Sequence, residues 1–122
     1  MLANQAQACE VVNMLPAASR SAGAANGSYV DLSKYEGDAV FVVNTGAITG
    51  SVIVKVEDAT DSGGTGLADV TGAVTSSISS ANTVAKIIVP CSKLRSHVRV
   101  TATVTTGPVL VGVSLMAHPK YV

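Results

Sequence analysis

The chain has 122 residues, of which 48% are apolar and only 13% charged, and eight basic residues balance eight acidic ones. One domain of this length buries about two-thirds of its unfolded surface and needs no disulfide framework. Scattered lysines and the absence of Trp argue against a nucleic-acid interface, which needs clustered cations and stacking aromatics. Soluble domains carry about 25% charged residues, so this neutral composition favours a surface that is covered within an assembly.

The first residues, MLANQAQACE, contain no basic start, and the chain has no run of about 18 apolar residues. We therefore expect no secretory signal, no membrane partner and a protein that stays in the cytoplasm where it is made unless a particle carries it out. Cys9 and Cys91 are too few and too far apart in sequence to suggest a framework, and we expect both to be reduced.

Residues 1–26 differ in composition from the rest of the chain. They are rich in Ala, Ser, Asn and Gln, carry only Glu10 and Arg20 as charges, and are interrupted by Pro16. This composition suits an arm that lies on a neighbour, with a short helix over 5–14 as an option, better than a core element. We predict an N-terminal arm at 1–26 and a folded domain at 27–122, which should survive removal of residues 1–20.

From Gly27 onward the pattern is β throughout, because Val and Thr dominate and no helical period is sustained. The alternating or continuous apolar runs predict strands at 28–32, 38–44, 51–58, 83–89, 95–105 and 109–116, and one interrupted strand over 67–71 and 73–78. Gly72 is expected at a bulge, and Thr106-Gly107-Pro108 at a turn. Short strands with turns every 8–12 residues indicate an antiparallel sandwich or barrel, and we predict an all-β, jelly-roll-like sandwich.

Two similar segments, VDLSKYEGDAVFVV and VPCSKLRSHVRVTA, each place a Ser-Lys-apolar turn between two strands. In a jelly roll the chain crosses between sheets at such turns. We therefore predict two corners, in which Ser33 or Ser92 caps a single helical turn and Tyr35 or Leu94 closes the core.

The two predicted corners differ in charge. Glu36 and Asp38 make the first corner acidic, whereas Arg95, His97 and Arg99 make the second basic. Opposite charges attract, so we expect corners of neighbouring subunits to pair around a threefold axis. Reversal of Arg95 and Arg99 to Glu should then dissociate the oligomer.

The residues that could support chemistry do not form a known motif. The acids Asp58, Asp61 and Asp69 lack EF-hand spacing, and the glycines at 63–66 lack the Lys-Ser/Thr and helix of a phosphate loop. His97 and His118 accompany no nucleophile motif. We therefore expect no enzymatic activity, no metal site and no cofactor.

The runs VDLSKYEGDAVFVVNTG, VIVKVEDATDSGGTGLADVTGAV and CSKLRSHVRVTATVTTGPVLVGVSLMAHPKYV follow one another in a familiar order. Over residues 28–122 they resemble small β-sandwich structural proteins of tailed bacteriophages, including the Asp-Val-Thr-Gly step that begins at Asp69. The resemblance implies a virion protein on the capsid surface, which cements the shell as a homotrimer over capsomer junctions. Its partners would be the major capsid protein and further copies of itself.

Two other roles remain open. One is a tail or head-completion protein that forms rings, and the other is a host-attachment or carbohydrate-binding sandwich, for which aromatic platforms are scarce in this chain. Candidate subunit or capsid contacts are charged or large polar-tipped residues outside the alternating core: Arg20, Tyr35, Glu36, Asp38, Arg95, Arg99, Lys120 and Tyr121.

Overall fold

The computed structural model describes residues 9–119, which form two packed antiparallel sheets. The strands are β1 (Glu10–Arg20), β2 (Gly23–Asn26), β3 (Val30–Asp31), β4 (Tyr35–Ile48), β5 (Ser51–Ala59), β6 (Ala68–Val74), β7 (Val84–Pro90), β8 (His97–Thr105) and β9 (Val109–Pro119). Within these described residues the only helical element is a single 3-10 turn at Cys91–Lys93.

Strand order identifies the architecture. Sheet A has the order β1-β9-β4-β7, and sheet B has the order β2-β8-β5-β6, with β3 also pairing with β8. The chain changes sheet at most connections, and among the described strands only β2 to β3 and β5 to β6 remain within one sheet. This order is the double Greek key of a jelly roll, so the predicted all-β antiparallel sandwich is confirmed.

The core lies between the sheets and is built from the alternation read in the sequence. Val52, Val54 and Val56 of β5 are fully buried, and the aromatic ring of Phe41 fills the centre from β4. Alternation places every second side chain of a strand on the same face. The β-branched residues that favour extended backbone therefore also supply the packed interior.

Both predicted corners are crossings between the sheets. The first joins β3 to β4 and buries Tyr35, and the second joins β7 to β8, where Leu94 packs against the core. The predicted serine caps are wrong. Asp31 Oδ1 accepts the Ser33 backbone N–H at 2.9 Å, and the 3-10 turn begins after Pro90 without a side-chain cap. A carboxylate two residues earlier forms the turn more strongly than a hydroxyl does.

The predicted arm boundary is corrected for residues 10–26. β1 pairs along β9, and Met14 and Leu15 are core residues, while β2 pairs with β8. The same pairing replaces the optional helix with a strand from Glu10 onward. Composition was misleading because β1 is an edge strand with two bulges, a setting that tolerates Pro16 and few apolar residues. Residues 1–8 lie outside the described part of the chain.

The interrupted strand predicted over 67–71 and 73–78 is present as one shorter strand. β6 ends at Val74, and the following segment returns to the core through Ile78, which forms a single bridge to Val52. The expected bulge is present, because Gly72 has φ +81° and the β5–β6 register shifts between Lys55 and Glu57. Positive φ is a conformation that glycine adopts without steric cost.

Candidate interaction surfaces

The outer face of sheet A carries most of the exposed large apolar side chains. Five of the seven found among residues 9–119 lie there: Val11, Val84, Ile88, Leu110 and Met116. A continuous row crosses all four strands, because Val11 pairs with Met116, Met116 with Val40, and Val40 with Ile88. We call these four residues the apolar row. It spans about 15 Å at the usual strand spacing, and Val11 and Ile88 are 67% and 50% exposed.

A shallow groove lies beside the apolar row, over β1, β4 and β9. Its volume is about 550 Å³, and Asn13, Asn44 and Ser114 contribute polar groups to its lining. Gly112 allows β1 to approach closely, since a Cβ at this position would lie 3.0 Å from the Ala17 Cα atom. The described lining contains neither a charge nor an aromatic ring. Such a surface fits a broad neutral protein contact better than a sugar, which usually stacks on an aromatic platform.

The outer face of sheet B is polar and paired within the chain. Glu57 is only 8% exposed, and its Oε1 accepts a hydrogen bond from Arg99 Nε at 3.1 Å. The Thr101 hydroxyl lies between the same carboxylate and Asn26 Oδ1. The Arg99 guanidinium also lies over the Tyr29 ring, 5.3 Å from its centroid. These groups satisfy one another, so this face needs no external partner for its buried polar atoms.

Lys55 links this network to β6. Its Nζ lies 3.0 Å from Asp69 Oδ1 and 4.0 Å from Glu57 Oε2. The hydrogen bond to Asp69 is the main cause that raises the pKa of Lys55 above its ordinary value. The pair is exposed to solvent, so it orients side chains more than it stabilises the fold.

Arg95 fixes the Gly-rich loop, residues 60–67, to the end of the sandwich. Its Nη2 donates to Asp58 Oδ1 at 2.8 Å, to the Asp58 carbonyl at 2.7 Å and to the Gly66 carbonyl at 2.6 Å. Its Nε also donates to Asp58 Oδ1, at 3.1 Å. Asp58 is only 8% exposed, and a buried carboxylate needs a cationic partner. Arg95 of the same chain provides that partner.

The same loop is organised from within by Asp61. Its Oδ1 accepts hydrogen bonds from the backbone N–H groups of Gly63 and Thr65, at 2.9 and 3.2 Å. Hydrogen bonding from Thr65, above all, lowers the pKa of Asp61. Among the described residues, no group of three His, Cys, Asp or Glu side chains is placed to hold a metal ion. The loop geometry is therefore explained by its own turn hydrogen bonds.

Tyr35 closes the core at the corner end of the sandwich, where both corner turns lie. Its hydroxyl donates to Glu10 Oε1 at 2.9 Å, and Lys34 Nζ lies 4.0 Å from the same oxygen. Burial, followed by the hydrogen bond to Glu10, raises the pKa of Tyr35 to about 12. Cys9 and Cys91 are both half-buried and form no disulfide with each other.

The structure places three of the predicted contact residues in roles within the chain. Arg95 and Arg99 pair with Asp58 and Glu57, so the basic corner is already neutralised. Tyr35 is 2% exposed and packs into the core. The expected corner-to-corner pairing therefore loses its basic side, because a neighbour would have to displace these internal partners.

The remaining predicted contacts are distributed differently. Glu36 and Asp38 are exposed at the corner end, and their side chains form no hydrogen bond or ion pair with other described residues. Arg20 lies at the far end, where its Nη2 donates to the Pro16 carbonyl at 2.6 Å. Lys120 and Tyr121 lie outside the described residues.

Sequence reasoning missed the outer face of sheet A. The strand predicted at 38–44 is central in sheet A, but only Ala39, Phe41 and Val43 are buried, whereas Val40 and Val42 lie half-exposed on the outside. Apolar side chains on both faces of one strand were the available signal. Such a pattern does not show whether another layer of the protein covers the second face of the strand or leaves it open to solvent.

The two histidines have ordinary local contacts. His97 Nδ1 lies 2.9 Å from the Ser96 hydroxyl, and His118 Nδ1 lies 2.9 Å from the Pro119 carbonyl oxygen. No helix within residues 9–119 has the length and hydropathy needed to cross a membrane.

Comparisons with known proteins identify similar folds. No protein-family model and no curated protein sequence matches the chain. Among solved structures, the SPBc2 prophage-derived protein YomS is similar with a TM-score of 0.57 and 15% identity, over 89% of this chain and 91% of that one. A protein of the Bacillus endospore appendages, described as disulfide-linked pili, gives a TM-score of 0.52 and 18% identity over 91% and 88%.

A viral protein has the same arrangement as part of a larger chain. VP2 of infectious bursal disease virus, in its subviral particle, gives a TM-score of 0.52 and 6% identity. The match covers 89% of this chain but 31% of VP2. At such identities the similarity shows a shared fold, and the protein is accordingly a jelly-roll β-sandwich with one open apolar outer face.

Proposed function

We propose that this protein is a structural virion component of a bacteriophage, which decorates the capsid surface and stabilises the shell as a trimer over capsomer junctions. The observation that carries the proposal is the apolar row on the outer face of sheet A, open to solvent in the isolated chain. Contiguous apolar surface of this kind marks protein contacts. The major capsid protein is the proposed partner.

The size of this face would supply more than half of one side of such a contact. Four strands at about 4.8 Å spacing and eight residues at about 3.3 Å rise give a flat area of roughly 500 Å². A stable interface covers roughly 800 Å² of each partner, including its rim. Three copies bound together would add their contacts and hold the shell more tightly than one copy could.

The comparisons support this proposal at the level of fold. A prophage-derived protein and a viral particle protein share the jelly roll with this chain. The same fold also occurs in a protein of pili, so the fold alone does not separate a capsid role from a fibre, tail or head-completion role. The location of the bound protein must distinguish them.

The test uses expanded shells assembled from the major capsid protein of the phage whose genome encodes this chain. We expect the purified protein to co-sediment with these shells and to raise their disassembly temperature. Ile88→Glu places a charge in the apolar row and should abolish binding. The matched control is Ile53→Glu, an exposed isoleucine on the outer face of sheet B, which should bind normally.

Cryo-electron microscopy of the bound shells gives the location. Density over capsomer junctions on the outer surface supports the proposal. Density confined to one vertex or to tails would instead assign a head-completion or tail role. Failure of the wild-type protein to bind, or equal binding by the two isoleucine variants, would contradict the capsid contact proposed for sheet A.

A further inference from the structure

The charges of the sandwich are divided between its two ends. All eight acidic residues belong to the half that contains the corner turns and the Gly-rich loop: Glu10, Asp31, Glu36, Asp38, Glu57, Asp58, Asp61 and Asp69. The other end is formed by the turns at 21–22, 49–50 and 106–108. Among the described residues, Arg20 is the one charged side chain at that end, which we call the Arg20 end.

Arg20 has hydrogen-bonding capacity that its own chain does not use. It pairs in register with Val109, and its Nη2 donates to the Pro16 carbonyl. Its Nε is buried without an acceptor among residues 9–119, and its Nη1, which is not buried, makes no hydrogen bond or ion pair within those residues and is the donor group left for a partner. A guanidinium offers five donors in a planar fork that matches a carboxylate. This end is therefore suited to an acidic partner.

Complementary carboxylates occur at the corner end of the same protein. Glu36 and Asp38 lie near the beginning of β4. Both are exposed, and neither has a cationic partner among the described residues. They cannot reach Arg20 within one copy. Along β9, Val109 lies beside Arg20 and His118 beside Glu36, and this strand length corresponds to about 30 Å.

We propose that copies of this protein associate head to tail, with Arg20 of one copy binding the carboxylates of Glu36 and Asp38 in the next. Internal pairing of Arg95 and Arg99 leaves these carboxylates available. A head-to-tail contact closes into a ring when its rotation permits and otherwise forms a filament. A ring of three would place one such contact at each junction of the proposed trimer, although the contact itself does not depend on binding to a shell.

The test measures self-association of the purified protein by sedimentation velocity without shells, so its result is separate from the capsid proposal. We expect wild-type protein to associate and Arg20→Glu to weaken the dissociation constant at least about 10-fold. The double variant Glu36→Arg/Asp38→Arg should weaken it similarly, and combination with Arg20→Glu should restore it. Lys86→Glu, which changes net charge equally on the outer face of sheet A, should have no effect.

Three results would overturn the proposal. They are a monomeric wild-type protein at about 1 mM, unchanged association of the Glu36→Arg/Asp38→Arg variant, and no recovery in the combined variant. Circular dichroism and thermal melts establish that each variant is folded. If Arg20→Glu alone fails to fold, the exposed Glu36→Arg/Asp38→Arg variant decides the result. Association of wild-type protein should also weaken as NaCl rises, because screening reduces attraction between exposed charges.

Discussion

Arg95→Ala tests whether this arginine stabilises its own chain or joins two chains. The substitution removes every side-chain hydrogen bond to Asp58 and the one to Gly66, and leaves Asp58 with the backbone N–H of residue 95 at 3.2 Å. Removing one partner of a fully buried ion pair costs roughly 3–5 kcal/mol. The Arg95 side chain is 37% exposed, so solvent screening reduces the expected loss of unfolding free energy to about 2–3 kcal/mol.

The measurement is urea unfolding together with a thermal melt. For a chain of this length, 1 kcal/mol corresponds to roughly 4 °C, so the melting temperature should fall by about 8–12 °C. Lys93→Ala, an exposed lysine in the same corner turn, should change stability by less than about 0.5 kcal/mol. The double variant Asp58→Ala/Arg95→Ala should lose less than the sum of its single changes, because the two side chains interact. Unchanged stability of Arg95→Ala with loss of association would refute the internal role.

Three further predictions concern the fold. Leu15→Ala should lower the free energy of unfolding by about 3 kcal/mol, because it leaves a cavity in the core. In the same urea titration, Val11→Ala on the exposed side of β1 should lower it by less than about 0.5 kcal/mol. Equal losses would contradict the placement of β1 in the sandwich. Tyr35 has its pKa raised by folding, so its contribution, about 1–3 kcal/mol, is complete below pH 10 and is lost as pH rises toward 12. Melts of wild type and Tyr35→Phe should therefore converge over that range, and parallel curves would count against the assignment. Gly50→Ala should prevent stable folding, because its Cβ would lie 1.9 Å from the Thr106 carbonyl oxygen; a normal melt would show that this turn is misplaced.

The fold class could be predicted from the sequence because the side-chain pattern of each central strand allows only one of its faces to be the buried face. Val52, Val54 and Val56 face inward, and the polar residues between them face outward, so a shift of one residue would exchange the two faces. The two corners could be found for the same reason, since Tyr35 and Leu94 are apolar residues directly after a turn. Local alternation and turn chemistry were both consistent with the tertiary structure.

β1 could not be found from local pattern because its partner is distant and its own alternation is broken. Two bulges interrupt the pairing with β9, so Met14 and Leu15 are adjacent in sequence and both buried. A two-residue period cannot describe such a strand. The partners of Arg95 and Arg99 within the chain could not be predicted for a related reason. Whether Arg95 faces a neighbour or Asp58 depends on how two distant strands come together, which no spacing along the chain specifies.

The pairing of β1 with β9 has a consequence for the order in which the molecule can fold. Glu10 pairs with Ala117, so the first described strand is completed by the last one. During synthesis β1 must remain without its sheet partner until β9 has left the ribosome, and its buried Met14 and Leu15 stay accessible to other molecules meanwhile. Folds dominated by such distant pairings form in roughly milliseconds to seconds. A chain that stops before β9 would leave β1 and β4 as unpaired edges, which are the sites where nascent β proteins aggregate.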